Sequence, residues 1–404
     1  MPAPHGPLFP PPRRSGRGAA LTLVFASVLV AGAATGSFNE SLGASRAAAQ
    51  GTPTGEAGGA AGPAGARQQE VTRAAARAMA EGTSPLEAAE RAVSRSGDRW
   101  GAVYSPDEYE EFQESLDGEY TGVGLSAGRE SDGRIEVTRV RPGSPAAAAG
   151  IRAGDRLRSV DGKRVDDRPV TEVVSILRGD TENGGGRDAT AGTRVSLGLQ
   201  RDGRVWTKTL RRARLSTEDV TTRRVAGRTT VIRVAAFTKG TGDQVRAAVA
   251  GAPARDGIVL DLRGNSGGLV AEAVTAASAF LDGGLVATYD IGGEQRALHA
   301  GRGGDTTRPV VVLVDGGTMS AAELLTGALQ DRCRAIVVGT RTFGKGSVQM
   351  PSRLPDGSVA ELTVGHYRTP SGRGVDGRGI TPDLEAEGDA LARAGNVLSG
   401  LGRS

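Results

Sequence analysis

Three short runs of aliphatic residues in the second half of the chain constrain its fold most strongly. Gly257–Leu269 reads GIVLDLRGNSGGL, Pro309–Val314 reads PVVVLV, and Ala335–Val338 reads AIVV. Each run has the length and the β-branched composition of a buried strand, and each is followed by a glycine-containing turn. The segments between them have helical patterns, as in the run SAAELLTGALQD. Strands that alternate with helices in this way predict an α/β layer fold.

The composition limits the kinds of core and site that the chain can build. Hydrophobic residues make up 38% of the 404 residues and aromatic residues only 3%, so the core must consist mainly of Ala, Val, Leu and Ile. At about 100–200 residues per domain, this length suggests two or three domains. One cysteine excludes an intrachain disulfide, and three histidines (His5, His299 and His366) leave little for a metal site. We therefore predict no metal and no cofactor.

The charged residues argue against one class of partner and draw attention to one residue type. The net charge is only +4 and the basic residues are scattered, which is not the pattern of a nucleic-acid-binding surface. Of the 50 basic residues only four are lysines: Lys163, Lys208, Lys239 and Lys345. Arginine is not deprotonated in proteins, whereas lysine can lose its proton. A lysine in so arginine-rich a chain therefore indicates a position where arginine cannot replace it.

The amino terminus has the order of an export signal. Three arginines precede the uncharged run Gly18–Asn39, whose most apolar part is Leu21–Val30, and small residues follow. The run is also close to the roughly 18 residues that can span a bilayer. We predict that residues 1–50 are a signal peptide or an N-terminal membrane anchor, and both alternatives stay open. The protein is then extracytoplasmic, either secreted or anchored to the cell membrane.

A linker and a helical region follow. Residues 51–68 are rich in Gly and Ala and lack large apolar residues, which predicts a flexible linker. Residues 69–117 are predicted to be helical, with a break at Thr83 and Ser84 and a further helix that begins after the N-cap candidate Ser105.

Residues 118–213 resemble a PDZ domain, especially the circularly permuted kind found in bacterial proteases. The most specific part is SPAAAAGIRAGDRL at Ser144–Leu157, and Asp-Gly turns mark two hairpins. The resemblance implies that the loop of Gly122, Val123, Gly124 and Leu125 holds the carboxyl end of a peptide, which adds a strand to the sheet edge. The segment 180–192, DTENGGGRDATAG, is longer and more polar than the usual connection, and we predict a mobile loop.

Ser320 lies where a strand and turn lead into a helix. At such a junction a serine hydroxyl can act as a nucleophile, and the N–H of Ala321 points out of the helix start. The sequence SAAE also fits a plain helix cap, in which Glu323 completes a capping box. Taken alone, this run favours the cap.

Several motifs in order resemble the carboxy-terminal processing peptidases, exported serine proteases of bacteria that also occur in plastids. They are the PDZ pattern, LDLRGNSGG, SAAELLTGALQD, GTRTFGKGSVQ and TPSGRGVDGRGITPD. The resemblance covers most of the chain from Glu70 to Asp383. It implies a crotonase/Clp-protease-like ββα protease core, here residues 214–386, with the PDZ domain inserted before it and a C-terminal tail at 387–404.

The resemblance also implies a set of site residues. The family's lysine follows its nucleophilic serine by 25 residues and its glutamine follows four later, which gives Ser320, Lys345 and Gln349. The oxyanion donors are Ala321 and Gly268, with Gly267 as the runner-up. The chain departs from the family pattern at Thr318-Met319, where Ser-Ala is usual, and Met319 is larger than the usual alanine.

A lysine can serve as the base only if its amine is neutral. The pKa of a free lysine is about 10.4, so it must fall by roughly two to three units, which burial among apolar groups achieves. Gln349 would hold the amine toward Ser320. Arg178, at the end of the PDZ helix, matches a family arginine that links bound peptide to the catalytic residues, although a helix-end cation favoured by the helix dipole is an equal alternative.

These observations predict an exported serine endopeptidase that cuts protein substrates near an accessible carboxyl end. Two other functions stay in view: a catalytically silent PDZ-type binding protein or chaperone, and a crotonase-like hydrolase or isomerase, for which no acyl-coenzyme A pocket is apparent. Homo-oligomers are possible partners, nucleic acid is not expected, and membrane contact would be made only through the N-terminal segment.

Overall fold

The computed structural model describes residues 63–130, 132–166, 168, 170–178, 190–225, 228–291 and 294–401. The predicted signal or anchor segment at 1–50, His5, linker residues 51–62 and residues 180–189 of the predicted mobile loop lie outside these residues. Among the described helices, none is both long enough and apolar enough to cross a bilayer.

The described part of the chain contains both helices and strands, and in several places strands follow one another directly. The helices are α1 (Pro63–Ala80), α2 (Pro85–Arg95), α3 (Pro106–Leu116), α4 (Pro145–Ala148), α5 (Val170–Arg178), α6 (Thr241–Gly251), α7 (Val270–Ala277), α8 (Ala321–Asp331) and α9 (Ala390–Leu401). The strands are β1 (Ala102–Tyr104), β2 (Glu119–Gly122), β3 (Leu125–Arg129), β4 (Ile135–Val140), β5 (Arg156–Val160), β6 (Lys163–Arg164), β7 (Arg194–Arg201), β8 (Arg204–Arg211), β9 (Ala213–Ser216), β10 (Val220–Val225), β11 (Thr229–Val234), β12 (Gly257–Asp261), β13 (Leu285–Ile291), β14 (Glu294–His299), β15 (Val310–Val314), β16 (Ile336–Gly339), β17 (Ser347–Arg353), β18 (Val359–Arg368) and β19 (Leu384–Glu385).

The described residues form two compact units. The inserted unit is Glu119–Ser216, and the main unit consists of the residues before and after it, up to Gly118 and from Thr217. In the main unit, the Thr217 N–H donates to the Gly118 carbonyl at 2.6 Å, so the two chain segments that flank the insertion meet there.

The main unit contains the predicted α/β layers. Its larger sheet has the order β10-β11-β12-β15-β16-β19, with parallel pairing from β11 onward and an antiparallel edge at β10. One face of this sheet packs against α6, α7 and α8, and the other packs against α9. Because both faces are covered, the central strands are apolar along their whole length.

A second sheet of the main unit has the order β1-β18-β13-β14, and β17 also pairs with β18. One face of β18, with Ala360 and Leu362, packs against α1 and α2. The opposite face, with Val359, packs against the α3 aromatics Tyr109 and Phe112. The break between α1 and α2 and the caps formed by Ser84 and Ser105 agree with the sequence pattern.

The helix α1 begins earlier than the sequence suggested. Residues up to 68 were expected to be linker, but the helix starts at Pro63. Proline is favoured in the first turn of a helix, and the alanines that follow have high helix propensity. Long-range contacts also fix this turn, because Arg67 donates to the carbonyl of Thr363 at 2.9 Å and Gln68 to Ser352 at 2.9 Å.

The inserted unit contains a sheet of order β3-β4-β5-β7-β8, a separate pair β2-β9, and helix α5, which contacts β3 and β5. Its apolar core consists of aliphatic residues from the sheet and both helices. Both Asp-Gly hairpin turns have positive φ at each residue: 47° and 79° at Asp161-Gly162, and 48° and 78° at Asp202-Gly203. This is the conformation of the predicted two-residue turn.

Candidate active site

Ser320 lies between the carboxyl end of β15 and the first residue of α8, as the strand–turn–helix pattern predicted. Its φ of 58° and ψ of −117° fall in a region that residues other than glycine rarely adopt. Its side chain is fully buried, and its Oγ has no hydrogen-bond partner among the described residues. Such a strained backbone persists only where the surroundings determine it.

Glu323 holds the backbone of Ser320 from the helix side. Its Oε2 accepts the Ser320 N–H at 2.9 Å, which is one half of the capping interaction that the sequence suggested. Because the Ser320 Oγ makes no hydrogen bond in the described part of the chain, the cap does not use the hydroxyl. The hydroxyl therefore remains available for other chemistry.

The same carboxylate also holds the segment that carries Lys345. Glu323 Oε2 accepts the Lys345 N–H at 2.8 Å, and Oε1 accepts the Gly344 N–H at 2.7 Å and the hydroxyl of Thr342. Glu323 is fully buried, and burial raises its pKa. Since one oxygen atom contacts both N–H groups, the backbones of Ser320 and Lys345 are neighbours.

Tyr367 holds the two residues from their carbonyl side. Its hydroxyl contacts the carbonyl oxygen of Ser320 at 3.0 Å and that of Lys345 at 3.3 Å. The ring is buried in β18, and burial raises the pKa of the phenol well above its usual range. Two buried side chains from different elements, Glu323 and Tyr367, thus fix the residues that were predicted to act together.

Lys345 has the environment that a base requires. Only 1% of the residue is exposed, and its Nζ lies 5.1 Å from the centre of the Trp100 ring. Burial lowers the pKa of Lys345 to about 8, although the carboxylates of Glu361, Glu323 and Asp98 act in the opposite direction. About a tenth of the amine is therefore neutral at pH 7, against less than about a thousandth for a lysine of ordinary pKa.

Gln349 is buried in β17, but its amide points to other partners than the predicted one. Its Nε2 donates to Ser347 Oγ at 2.8 Å and to Thr363 Oγ1 at 3.2 Å. The Thr363 hydroxyl donates in turn to Asp98 at 2.7 Å. Within the described residues, Gln349 Oε1 has no hydrogen-bond partner, so a bond from Gln349 to the Lys345 amine is not seen.

The glycine-rich turn after β12 lies against Ser320. A Cβ added to Gly267, whose φ is 102°, would lie 2.9 Å from Ser320 Cβ and 3.3 Å from the Ala321 nitrogen. The Gly267 N–H donates to Asn265 Oδ1 at 2.8 Å, and among the described residues the bonds of this turn do not use the Gly268 N–H. At Gly268, with φ of 128°, the Phe237 carbonyl leaves no room for a side chain.

The predicted peptide-binding loop lies at the end of β2 and the start of β3 in the inserted unit. Gly124 has φ of 78° and packs so closely on Ser144 that a side chain would not fit. β3 is at an edge of its sheet and α5 packs against it. Arg178 is the half-buried last residue of α5.

Three further residues of reactive or ionisable type are either paired or exposed. Arg263 forms two hydrogen bonds with Asp261, at 2.8 and 2.7 Å, so these two residues are paired with each other. His366 is an exposed residue of β18, and Cys333 is an exposed free thiol.

Sequence reasoning missed several residues of the site. Glu323 was considered only as a cap, although its spacing from Ser320 was the available signal. Nothing local indicated Tyr367, Trp100, or the hydrogen-bond chain from Gln349 through Thr363 to Asp98, because these contacts join distant parts of the chain.

Comparison with known proteins agrees with this arrangement. Residues 228–386 match peptidase family S41, and residues 136–183 match the PDZ domain. Residues 228–386 are therefore a domain of the S41 peptidase type. The first match contains the segment from Ser320 to Gln349, and the second lies in the inserted unit. The predicted family and the PDZ domain are therefore confirmed.

The S41 relatives carry names that agree with the sequence resemblance. The Carboxy-terminal-processing protease of Bartonella bacilliformis is 34% identical over 287 residues, 69% of this chain and 64% of the relative. The Carboxy-terminal processing protease CtpA of Bacillus subtilis is 31% identical over 295 residues, 72% of this chain and 61% of the relative. The chain thus spans less than two thirds of the length of either relative.

A solved structure from Bacteroides fragilis, described as an S41 protease, is similar in fold. It is 17% identical, with a TM-score of 0.51, and the match covers 79% of this chain and 91% of the other.

Proposed function

We propose that this protein is an exported serine endopeptidase that recognises the carboxyl-terminal region of protein substrates through its PDZ domain. Ser320 is the nucleophile and Lys345 is its general base. One observation carries the proposal: the Ser320 hydroxyl is buried and has no hydrogen-bond partner among the described residues, while Glu323 and Tyr367 fix its backbone beside that of Lys345.

In the first step, the neutral Lys345 amine takes the proton of the Ser320 hydroxyl as the oxygen attacks the scissile carbonyl. The lowered pKa of Lys345, about 8, supports this role because an amine of ordinary pKa would be almost entirely protonated. The resulting ammonium then gives its proton to the departing amine, and water later hydrolyses the acyl-enzyme.

The negative charge on the tetrahedral intermediate would be met by the N–H groups of Ala321 and Gly268. The commitment of the Gly267 N–H to Asn265 supports Gly268 over Gly267 as the donor from the turn. We propose that Gln349 orders this side of the site through Thr363 and Asp98. We also propose that Gln349 Oε1 accepts a hydrogen bond from the Lys345 ammonium.

The loop Gly122–Leu125 is proposed to bind the substrate's carboxyl end, with the substrate added as a strand beside β3. The edge position of β3 and its packing against α5 support this mode. Arg178 is proposed to couple bound peptide to activity. We also propose that the PDZ domain is circularly permuted and that the protease core has the crotonase/Clp-protease-like ββα architecture.

The basic, apolar and small-residue order of segment 1–50 supports export, with cleavage and anchoring as the two alternatives. The proposal predicts that the purified protein cuts an unstructured protein substrate and that Ser320→Ala does not. A folded Ser320→Ala variant that still binds peptide separates loss of catalysis from loss of structure. Wild-type protein that binds peptides without cutting them would instead favour the silent PDZ-type binding protein.

A further inference from the structure

Glu361 of β18 is a fully buried carboxylate that the proposed mechanism does not use. Neither of its carboxylate oxygens has a hydrogen-bond partner in the part of the chain that the structure describes. A buried charge is costly unless it is paired or hydrogen-bonded. The position therefore needs an electrostatic explanation.

The strand register places Glu361 on the catalytic face of β18. Glu361 and Thr363 are two residues apart and so share a face, and Thr363 lies opposite Gln349 of β17. On its other side Glu361 lies opposite Ala102 of β1. Trp100 lies two residues before Ala102, and the centre of its ring is 5.1 Å from Lys345 Nζ. The cross-strand pairing thus brings Glu361 next to the elements that surround this amine.

The surroundings of this face are mostly aromatic and aliphatic. Val359, on the same face, packs with Tyr104, Tyr109 and Phe112, and with Leu269 after the oxyanion turn. The titratable and charged groups around this face include Lys345 before β17, Asp98 before β1, Tyr104 of β1, Glu108 and Tyr109 of α3, Arg353 of β17 and Arg67 of α1. Among the charges that act on Lys345, that of Glu361 has the largest effect.

We propose that Glu361 is a positioning residue for Lys345: its buried carboxylate is the counter-ion that stabilises the ammonium formed when Lys345 takes the Ser320 proton. This inference rests on the proposed Ser–Lys mechanism. The proton moves from Ser320 Oγ to Lys345 Nζ, the serine oxygen forms its bond to the substrate carbonyl carbon, and the carbonyl oxygen becomes the oxyanion. Glu361 exchanges no proton in this step and acts only through its charge.

The protonation states are consistent with this role. Burial raises the pKa of Glu361 to about 7, with the charge of Lys345 acting in the opposite direction. The pKa of Lys345 is lowered to about 8. Above pH 8, therefore, a neutral amine faces an ionised carboxylate, and proton transfer from Ser320 turns this arrangement into an ion pair.

The four lysines make a direct test possible. In the Ser320→Ala protein with ¹³C-labelled lysine, NMR titration should show one Cε signal with a pKa near 8, which Lys345→Arg removes. Adding Glu361→Gln should lower this pKa by about one unit, because the amide keeps the shape but removes the charge. Glu361→Asp, which keeps the charge one methylene further away, should give a smaller shift. Glu294→Gln, which removes an exposed glutamate charge, should give none.

The kinetic readout uses the active protein. In Glu361→Gln, the acid limb of the kcat/KM profile should move to lower pH by about one unit, and the plateau should fall roughly three- to tenfold because the base is weaker. A purely structural role would lower the profile without moving the limb. An unmoved limb together with an unmoved Lys345 pKa would overturn the inference while leaving the Ser–Lys mechanism intact. Activity that survives Lys345→Ala would instead overturn the mechanism itself.

Discussion

At the residue scale, Glu323 connects the two halves of the proposed catalytic pair. One of its oxygens accepts the N–H groups of both Ser320 and Lys345, and the other accepts the Gly344 N–H and the Thr342 hydroxyl. Because the site is buried, water cannot replace a lost acceptor. The strained φ of Ser320 therefore depends on this carboxylate.

Glu323→Gln should destabilise the protein and reduce its activity. The amide nitrogen of glutamine cannot accept a hydrogen bond, so two of these donors lose their partner at about 1–3 kcal/mol each. We expect the free energy of unfolding, measured with denaturant, to fall by about 3 kcal/mol. Glu294→Gln, on the exposed strand β14, is the control and should change neither property. Wild-type stability in Glu323→Gln would show that the clamp is not needed.

The pH dependence of activity follows from the state of Lys345. Only the neutral amine can take the serine proton, and the pKa of Lys345 is about 8. The kcat/KM value should therefore rise with pH through an apparent pKa near 8 and level off above it. The measurement is the initial rate on a peptide at low concentration from pH 6 to pH 10. A rate that is flat across this range, or that falls between pH 7 and 9, would contradict a lysine base.

At the element scale, Thr363 links the hairpin β17–β18 to the loop before β1. The side chain of Thr363 accepts from Gln349 and donates to Asp98, and its backbone N–H also donates to Asp98 at 2.7 Å. These contacts order the strand segment that follows Lys345.

Thr363→Val keeps the shape and the backbone bond but removes the hydroxyl. Since Gln349 then loses one of its two partners, we expect kcat to fall roughly tenfold or more while KM changes little. Thr363→Ser keeps the hydroxyl and should stay close to wild type. A loss of activity in the serine variant, together with wild-type activity in the valine variant, would point to the methyl group and its packing instead of the hydrogen bonds.

The elements also show how far sequence reasoning reaches. The α/β layers were predictable because β12 and β15 are short, continuous apolar runs and the helices between the strands have clear patterns. Ser320 and Lys345 could be named from motif spacing. The bond from Thr363 to Asp98 joins residues 265 positions apart, and no local pattern encodes such a contact. The early start of α1 has the same origin, since Arg67 is held by β18.

At the scale of the whole molecule, the chain carries a PDZ domain and an S41 domain. If bound peptide favours the active state, a short peptide with an apolar carboxyl end should speed cleavage of a second substrate until it competes for the active site. Arg178→Ala should weaken this stimulation more than it weakens peptide binding. The measurement is initial rate against peptide concentration, with binding followed separately.

Identical stimulation curves for wild type and Arg178→Ala would remove Arg178 from the coupling. An absence of stimulation in wild type would leave the PDZ domain as a substrate tether only. Deletion of Tyr120–Arg212 should make activity independent of the substrate's carboxyl end.

The most direct test of the Ser–Lys site is turnover of an unstructured protein substrate by Lys345→Arg. Arginine keeps the positive charge on a slightly longer side chain, but it cannot act as a base because it stays protonated. We expect no detectable turnover by this variant, as for Ser320→Ala, while its circular dichroism and its peptide binding match those of the wild type. Appreciable turnover by a folded Lys345→Arg protein would contradict the assignment of Lys345 as the general base.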